Sequence, residues 1–266
     1  MQRIFYLLFV VTLLTGCGAT TTSKVASSHG FKAAYVKAEP FSLATYQKIT
    51  QPGKDVNIYI EGDGRNWISR TVLSKDPSPR ASTVMQLASL DPSPNVVYLA
   101  RPCQYSPKDL KTVCKPKLWS QARYSPAVIN ALNVAINEIK RKTKSKKVNL
   151  IGYSGGGTLA VLIASKRKDV ASIRTIAGNL DLRTMDKIHN TTPLHESIDP
   201  MHVAASVKHI PQIHFCGAKD KVVPPVVALN FIRAAKLNPK TVVVVKDASH
   251  DKNWNKHWPE LLKRVP

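Results

Sequence analysis

From about residue 56 to the C-terminus, short runs rich in apolar and β-branched residues alternate with stretches of helical period. Val56–Ile60, Asn95–Ala100, Val148–Ile151, Ser172–Ala177, Gln212–Cys216 and Thr241–Val245 are bounded by turn residues and read as buried strands. Between them, Ala81–Leu90, Ser125–Lys142, Thr158–Ala164, Pro224–Ala235 and Trp254–Arg264 repeat apolar residues at helical spacing. The longest has Ser125 as cap and Pro126 at its first helical position, with Val128, Leu132, Ala135, Ile136 and Ile139 on one stripe. Strands alternating with helices predict an α/β domain, a largely parallel central sheet with helices on both faces. Upstream, Phe41–Ile49 alternates and predicts one more strand, closed by the turn Pro52-Gly53-Lys54-Asp55. Residues 101–125 and 178–211 hold no sustained period and read as long connections. No internal repeat divides residues 31–266, which are expected to form one domain.

The N-terminus follows a different pattern. Met1-Gln2-Arg3 precedes an apolar run, Ile4–Leu14, broken only by Thr12 and short of the ~20 residues that span a bilayer as a helix. The run stops at Leu14-Thr15-Gly16-Cys17, which resembles the lipobox of bacterial lipoproteins. That resemblance implies a signal peptide over residues 1–16, a lipid anchor on Cys17 and a place in the cell envelope. With no Asp after Cys17, it favours the periplasmic face of the outer membrane. An ordinary secretory signal with a chance cysteine is the alternative. Residues 17–30 are small and polar and are expected to be a flexible tether.

Composition changes the picture in two respects. Of the 266 residues, 43% are hydrophobic, which excludes a wholly disordered chain, while 39 Lys and Arg against 17 Asp and Glu leave a net charge of +22. Nucleic acid is the usual partner of such a chain, but no nucleic-acid-binding signature accompanies the charge and the start looks exported. An anionic envelope surface is the expected partner, with general basicity as the alternative. Export also permits disulfides. Cys103 and Cys114 share one loop and are expected to pair, two free thiols being the alternative, and Cys216 is expected to be a buried, inert thiol. No C-x-x-C or HExxH spacing occurs, so neither a metal site nor a cofactor is expected.

The chemistry gathers at Gly152-Tyr153-Ser154-Gly155-Gly156-Gly157. The G-x-S-x-G string falls directly after the strand Val148–Ile151 and before the apolar run Thr158–Ala164. A sharp strand-to-helix turn at Ser154 forces unusual backbone angles, and glycines two residues to either side remove β-carbons that would clash. Here the chain resembles the α/β-hydrolase family over most of residues 56–250. The resemblance implies a three-layer fold and a nucleophile, acid and base in that chain order. On that resemblance Ser154 would be the nucleophile. Gly217-Ala218-Lys219-Asp220 follows a strand and supplies Asp220 as the acid, with Asp181 as its rival. His250, just after the last strand, is the base, with His257 as its rival. Glu61-Gly62-Asp63-Gly64 stands where the family carries an oxyanion loop, so the donors would be backbone N–H groups of Gly155 and of Asp63 or Gly64. Glu61 departs from the histidine usual there. Asp63 brings a carboxylate close to developing negative charge and must turn away, toward Arg65. With its lipoprotein-like start, the chain resembles the hydrolases carried by bacterial exported lipoproteins.

The reaction so implied is cleavage of a carboxylic ester or related acyl bond through an acyl-enzyme, without metal or organic cofactor. The substrate would be a small molecule, and the basic charge points to one with an anionic group. Aromatic residues in the loops, Trp67, Tyr105, Trp119 and Tyr124, are either core anchors or substrate platforms. A peptidase or acyltransferase on the same triad is one alternative. A non-catalytic envelope lipoprotein that binds an anionic surface is another.

Overall fold

A computed structural model describes residues 21–107 and 113–266. Among them, eight strands form one sheet: β1 (Lys32–Ala38), β2 (Phe41–Ile49), β3 (Val56–Ile60), β4 (Asn95–Leu99), β5 (Val148–Tyr153), β6 (Val170–Ile176), β7 (Gln212–Gly217) and β8 (Val242–Val245). Their order is β1-β2-β4-β3-β5-β6-β7-β8. Pairing is antiparallel for β1–β2 and β2–β4 and parallel from β4 through β8.

Alternation along the strands divides the core into two layers. Val56, Ile58 and Ile60 of β3 and Val97 and Leu99 of β4 face one side, with α3 (Pro126–Thr143), α4 (Gly155–Ala164) and α6 (Pro225–Ala235) packed there. Tyr59, Val96 and Tyr98 face the other, against α1 (Thr21–Ser28), α2 (Thr83–Ser89) and α7 (Trp254–Leu262). This covering of both faces explains why the parallel strands read as apolar runs rather than alternating ones. Helix α3 begins as its sequence dictates. Ser125 Oγ accepts the Val128 N–H, Pro126 opens the helix, and the whole predicted stripe is buried.

Two regions differ from the sequence expectation. The tether expected over residues 17–30 is helical from Thr21 to Ser28. Thr22 and Ala26, one turn apart, are buried, Ala26 packs in the same layer as α2, and the Thr22 hydroxyl meets the Tyr105 hydroxyl at 2.9 Å. The packed domain therefore starts ahead of residue 31. Residues 1–20, including the expected signal peptide and Cys17, lie outside the described residues. The connection 178–211 also holds regular structure, α5 (Leu182–His189) and a 3₁₀ segment at Pro200–Val207. Among the described residues no helix is long and apolar enough to cross a membrane.

Candidate active site

The parallel strands bring their carboxyl ends to one edge of the sheet, and the sequence-predicted residues collect in the loops that leave them. Ser154 sits between β5 and α4 with φ 51° and ψ −122°. A β-carbon on Gly152 would overlap the Gly156 carbonyl, and one on Gly156 would overlap the Ile60 carbonyl, so only glycine closes this turn. The Ser154 N–H donates to the Ile176 carbonyl at 2.9 Å, and its own carbonyl accepts from Gly157 and Asn179. Gly155 opens α4, so its N–H has no acceptor within the helix.

Asp220 follows β7 and its side chain is fully buried. One carboxylate oxygen accepts the Val222 and Val223 N–H groups, each at 2.8 Å, and the other lies 2.9 Å from His250 Nδ1. His250 Nε2 lies 3.1 Å from Ser154 Oγ. The His250 carbonyl is held in turn by the Tyr153 hydroxyl at 2.8 Å and Trp254 Nε1 at 2.9 Å. The rivals do other work. Asp181 caps α5, accepting from Thr184 N and from Asn230. His257 lies in α7 and pairs with Asp247.

The loop after β3 closes the site from the opposite side. Glu61 is buried, accepts the Tyr98 hydroxyl at 2.8 Å and its own neighbour's Gly62 N–H at 2.8 Å. Burial raises its pKa to about 7 against the opposing pull of those two donors and of Arg101. Because Gly62 N–H is engaged, the N–H groups of Asp63 and Gly64 are the ones this loop can offer a ligand. Asp63 does turn aside, but not toward Arg65. Its carboxylate forms an ion pair with Arg101, lies 3.2 Å from Arg123 Nε and accepts the Tyr124 hydroxyl at 2.9 and 3.0 Å. Arg65 is two residues away in sequence, whereas Arg101 leaves the neighbouring strand β4 and reaches the loop directly. Burial opposes ionisation of Asp63, and Arg123 and Arg101 outweigh it and hold the carboxyl below its ordinary range.

Sequence reasoning missed this support. Arg101, Gln104, Arg123 and Tyr124 all come from the 101–125 connection. Gln104 Nε2 donates to the Gly62 carbonyl at 2.9 Å, and its Oε1 accepts the Arg101 N–H at 3.0 Å. Arg101-Pro102 is a charged residue at the end of an otherwise apolar strand, but only the pairing of β4 beside β3 brings it to the loop after β3. In the same connection Cys103 and Cys114 are joined as a disulfide with Cα atoms 5.4 Å apart. Cys216 is free and buried, and burial pushes its thiol up to about 12. Trp119 and Tyr124 are core anchors, while Trp67 is exposed.

The open cleft above Ser154 and His250 has a volume of about 1010 Å³. Trp67, Arg65, Arg70 and Arg80 stand on one wall, and Asp186, His189 and Val222 on the other. Among the described residues, no three His, Cys, Asp or Glu side chains gather in a way that would hold a metal ion.

Comparison with known proteins places this geometry. The chain resembles solved structures across nearly its whole length. The Pyrococcus furiosus esterase Pf2001 superposes with a TM-score of 0.63 at 18% identity, over 94% of this chain and 96% of that one. Est1E from Butyrivibrio proteoclasticus gives 0.62 at 11%, over 87% and 96%. The Pyrococcus horikoshii acylaminoacyl peptidase gives 0.62 at 14%, over 88% of this chain but 40% of the peptidase. These likenesses establish the α/β-hydrolase fold. A search of curated proteins found no match. The family model described as serine hydrolase (FSH1) matches residues 87–250, a span that runs from the end of α2 to the imidazole beside Ser154. With that match covering more than half of its length, the chain belongs to the serine hydrolase (FSH1) family and is a hydrolase.

Proposed function

We propose that this hydrolase cleaves carboxylic esters, or a closely related acyl bond, with Ser154, His250 and Asp220 as its catalytic triad. The observation that carries the reading is the unbroken chain from Asp220 Oδ2 through the His250 ring to Ser154 Oγ, at 2.9 and 3.1 Å, ending on a strained strand-to-helix turn. Ser154 Oγ attacks the acyl carbon while His250 Nε2 takes its proton. Asp220 fixes the tautomer with the proton on Nδ1 and stabilises the imidazolium. The protonated ring then gives its proton to the leaving oxygen as the acyl–oxygen bond breaks. Water, deprotonated by the same nitrogen, cleaves the acyl-enzyme.

The tetrahedral oxyanion is met by the N–H of Gly155 and that of Asp63 or Gly64, and removing one such donor typically costs about 3 kcal/mol. The Asp63 carboxylate does not oppose it, because Arg101 and Arg123 neutralise that charge. The unpaired Arg65, Arg70 and Arg80 on one wall support a substrate with an anionic group.

A serine-reactive fluorophosphonate probe tests the reading. It labels the wild-type chain and fails to label Ser154→Ala. Labelling that survives the substitution identifies another nucleophile and overturns the assignment. A panel of esters, thioesters and amides then fixes the bond cleaved. We further propose, from Leu14-Thr15-Gly16-Cys17, that the protein is lipid-anchored at Cys17 in the cell envelope. Mass spectrometry of the membrane fraction checks this, and an unmodified N-terminus created elsewhere would refute it.

A further inference from the structure

Apolar side chains are exposed on the segments that border the cleft on both sides. On one wall the chain forms a short hairpin in which Trp67 bridges Leu73 and the Ile68 N–H donates to the Val72 carbonyl at 2.8 Å. This puts Arg70 near its tip and leaves Trp67, Ile68 and Val72 43, 54 and 50% exposed. On the opposite wall Ile188, Val222 and Val226 are 43, 47 and 42% exposed. The two segments are tied together there, since the Val222 carbonyl lies 2.7 Å from His189 Nε2. Trp67 and Val222 border the same opening as Ser154 and His250. With Trp67 and Val222 at the opening and the other four exposed on the segments that carry or adjoin them, this apolar surface needs a partner.

The charge around them selects it. The segments 65–80, 183–189 and 219–222 carry eight Lys and Arg against three Asp. One of those three, Asp220, is buried against His250. None of the eight cations makes a salt bridge among the described residues, in contrast to Arg101 and Arg123 deeper in the site. Exposed aliphatic and indole side chains interleaved with free cations match the headgroup level of an anionic bilayer, where an amphipathic surface gains apolar burial and attraction to lipid phosphate together. A protein partner with an acidic, apolar surface would be a different occupant. The placement of an indole between apolar neighbours and an arginine favours the interface of a membrane, where Trp is enriched.

We propose that the cleft mouth is a docking surface for an anionic phospholipid bilayer, with the hairpin 67–73 and the patch Ile188, Val222 and Val226 entering the headgroup layer and the cleft opening onto it. Combined with the ester-cleaving reading, on which this part rests, the cleft would take its acyl substrate from the interface.

Trp67 is a built-in reporter, because the other three tryptophans, Trp119, Trp254 and Trp258, are buried. The experiment mixes the full-length protein with vesicles of phosphatidylcholine alone or with phosphatidylglycerol, carrying brominated acyl chains that quench nearby indoles. Quenching of the exposed tryptophan on phosphatidylglycerol vesicles and its absence on pure phosphatidylcholine is the expected result. Ile68→Ser with Val72→Ser, and separately Lys75→Glu with Lys187→Glu, should each weaken that signal by roughly tenfold in lipid concentration. Both variants should keep wild-type turnover of a water-soluble acetate ester. Emission unchanged on anionic vesicles overturns the proposal, as does equal quenching on both lipids. Self-association without lipid that the same variants abolish also overturns it, in favour of a second copy on this face. If docking occurs but no ester is cleaved, the docking surface stands and the ester-cleaving reading fails.

Discussion

The Asp63 carboxylate lies so close to Gly155 that a β-carbon built on the glycine would overlap Oδ1 and stand 2.6 Å from the Tyr124 hydroxyl. The two loops proposed to meet the oxyanion are thus packed against each other through an ionised side chain and a backbone with no room for a methyl group. Gly155→Ala should force Asp63 and Tyr124 away and displace the N–H groups that face the oxyanion. We expect kcat to fall by roughly a hundredfold, the scale of losing one such donor, with little change in KM. Steady-state kinetics with a soluble ester check this, alongside circular dichroism to verify that the fold is kept.

Arg101 is buried and holds Asp63, so removing it strands a carboxylate beside Gly155 and the proposed catalytic centre. Arg101→Met should cost about 3 kcal/mol of stability, the low end of the range for breaking a buried pair, because Arg123 and Tyr124 remain. Activity should drop as well, since the unneutralised charge opposes the oxyanion. Adding Asp63→Asn removes that charge, and the double variant should recover part of both losses. Denaturant midpoints and kcat for the four members of the cycle measure the coupling, and strict additivity would refute the pairing argument.

Glu61 ties stability to pH. Its pKa is raised to about 7 by burial, so the fold prefers the protonated carboxyl. A raised folded-state value means the contribution is fully present below the unfolded carboxylate pKa and is lost as pH rises through 7. Glu61→Gln is neutral at every pH and can still hydrogen-bond Tyr98. The stability of the variant relative to wild type should therefore increase between about pH 5 and pH 8, by up to about 3 kcal/mol. Thermal unfolding of both chains across that range is the check, and parallel Tm curves would contradict it.

The parallel core was legible because strands buried on both faces leave apolar runs, and α3 because Ser125-Pro126 caps a regular stripe. Ser154, Asp220 and His250 could be picked out because each follows a strand, and a parallel sheet delivers strand ends to one edge. Helix α1 was illegible for a local reason. Its residues are mostly Thr, Ser and Lys, and only Thr22 and Ala26 are buried, so no apolar period betrays it. Strand β1 gives no apolar run because Lys32, Tyr35 and Lys37 are exposed and only Val36 and Ala38 are buried. The partner of Asp63 could not be read at all. Arg65 was the near neighbour in sequence, while Arg101 becomes one only when β4 pairs beside β3.

The disulfide bears on the same loop. Cys103 lies between Arg101 and Gln104, the two residues that hold Asp63 and the Gly62 carbonyl, and its bond to Cys114 ties this corner to the rest of the 101–125 connection. Closing a loop of that length contributes about 3 kcal/mol in the chain-entropy account. Cys103→Ser with Cys114→Ser should lower stability by about that amount. The loop after β3, proposed to supply an oxyanion donor, should also loosen, so kcat should fall more than KM rises. Reductant should reproduce both effects in the wild-type chain and change nothing in the double variant. Cys216 does not confuse the test, because it is buried and its thiol is held protonated. Unfolding curves and kinetics with and without reductant decide it. Unchanged kcat in the reduced wild type would mean that Arg101 and Gln104 hold the loop without help from the bond.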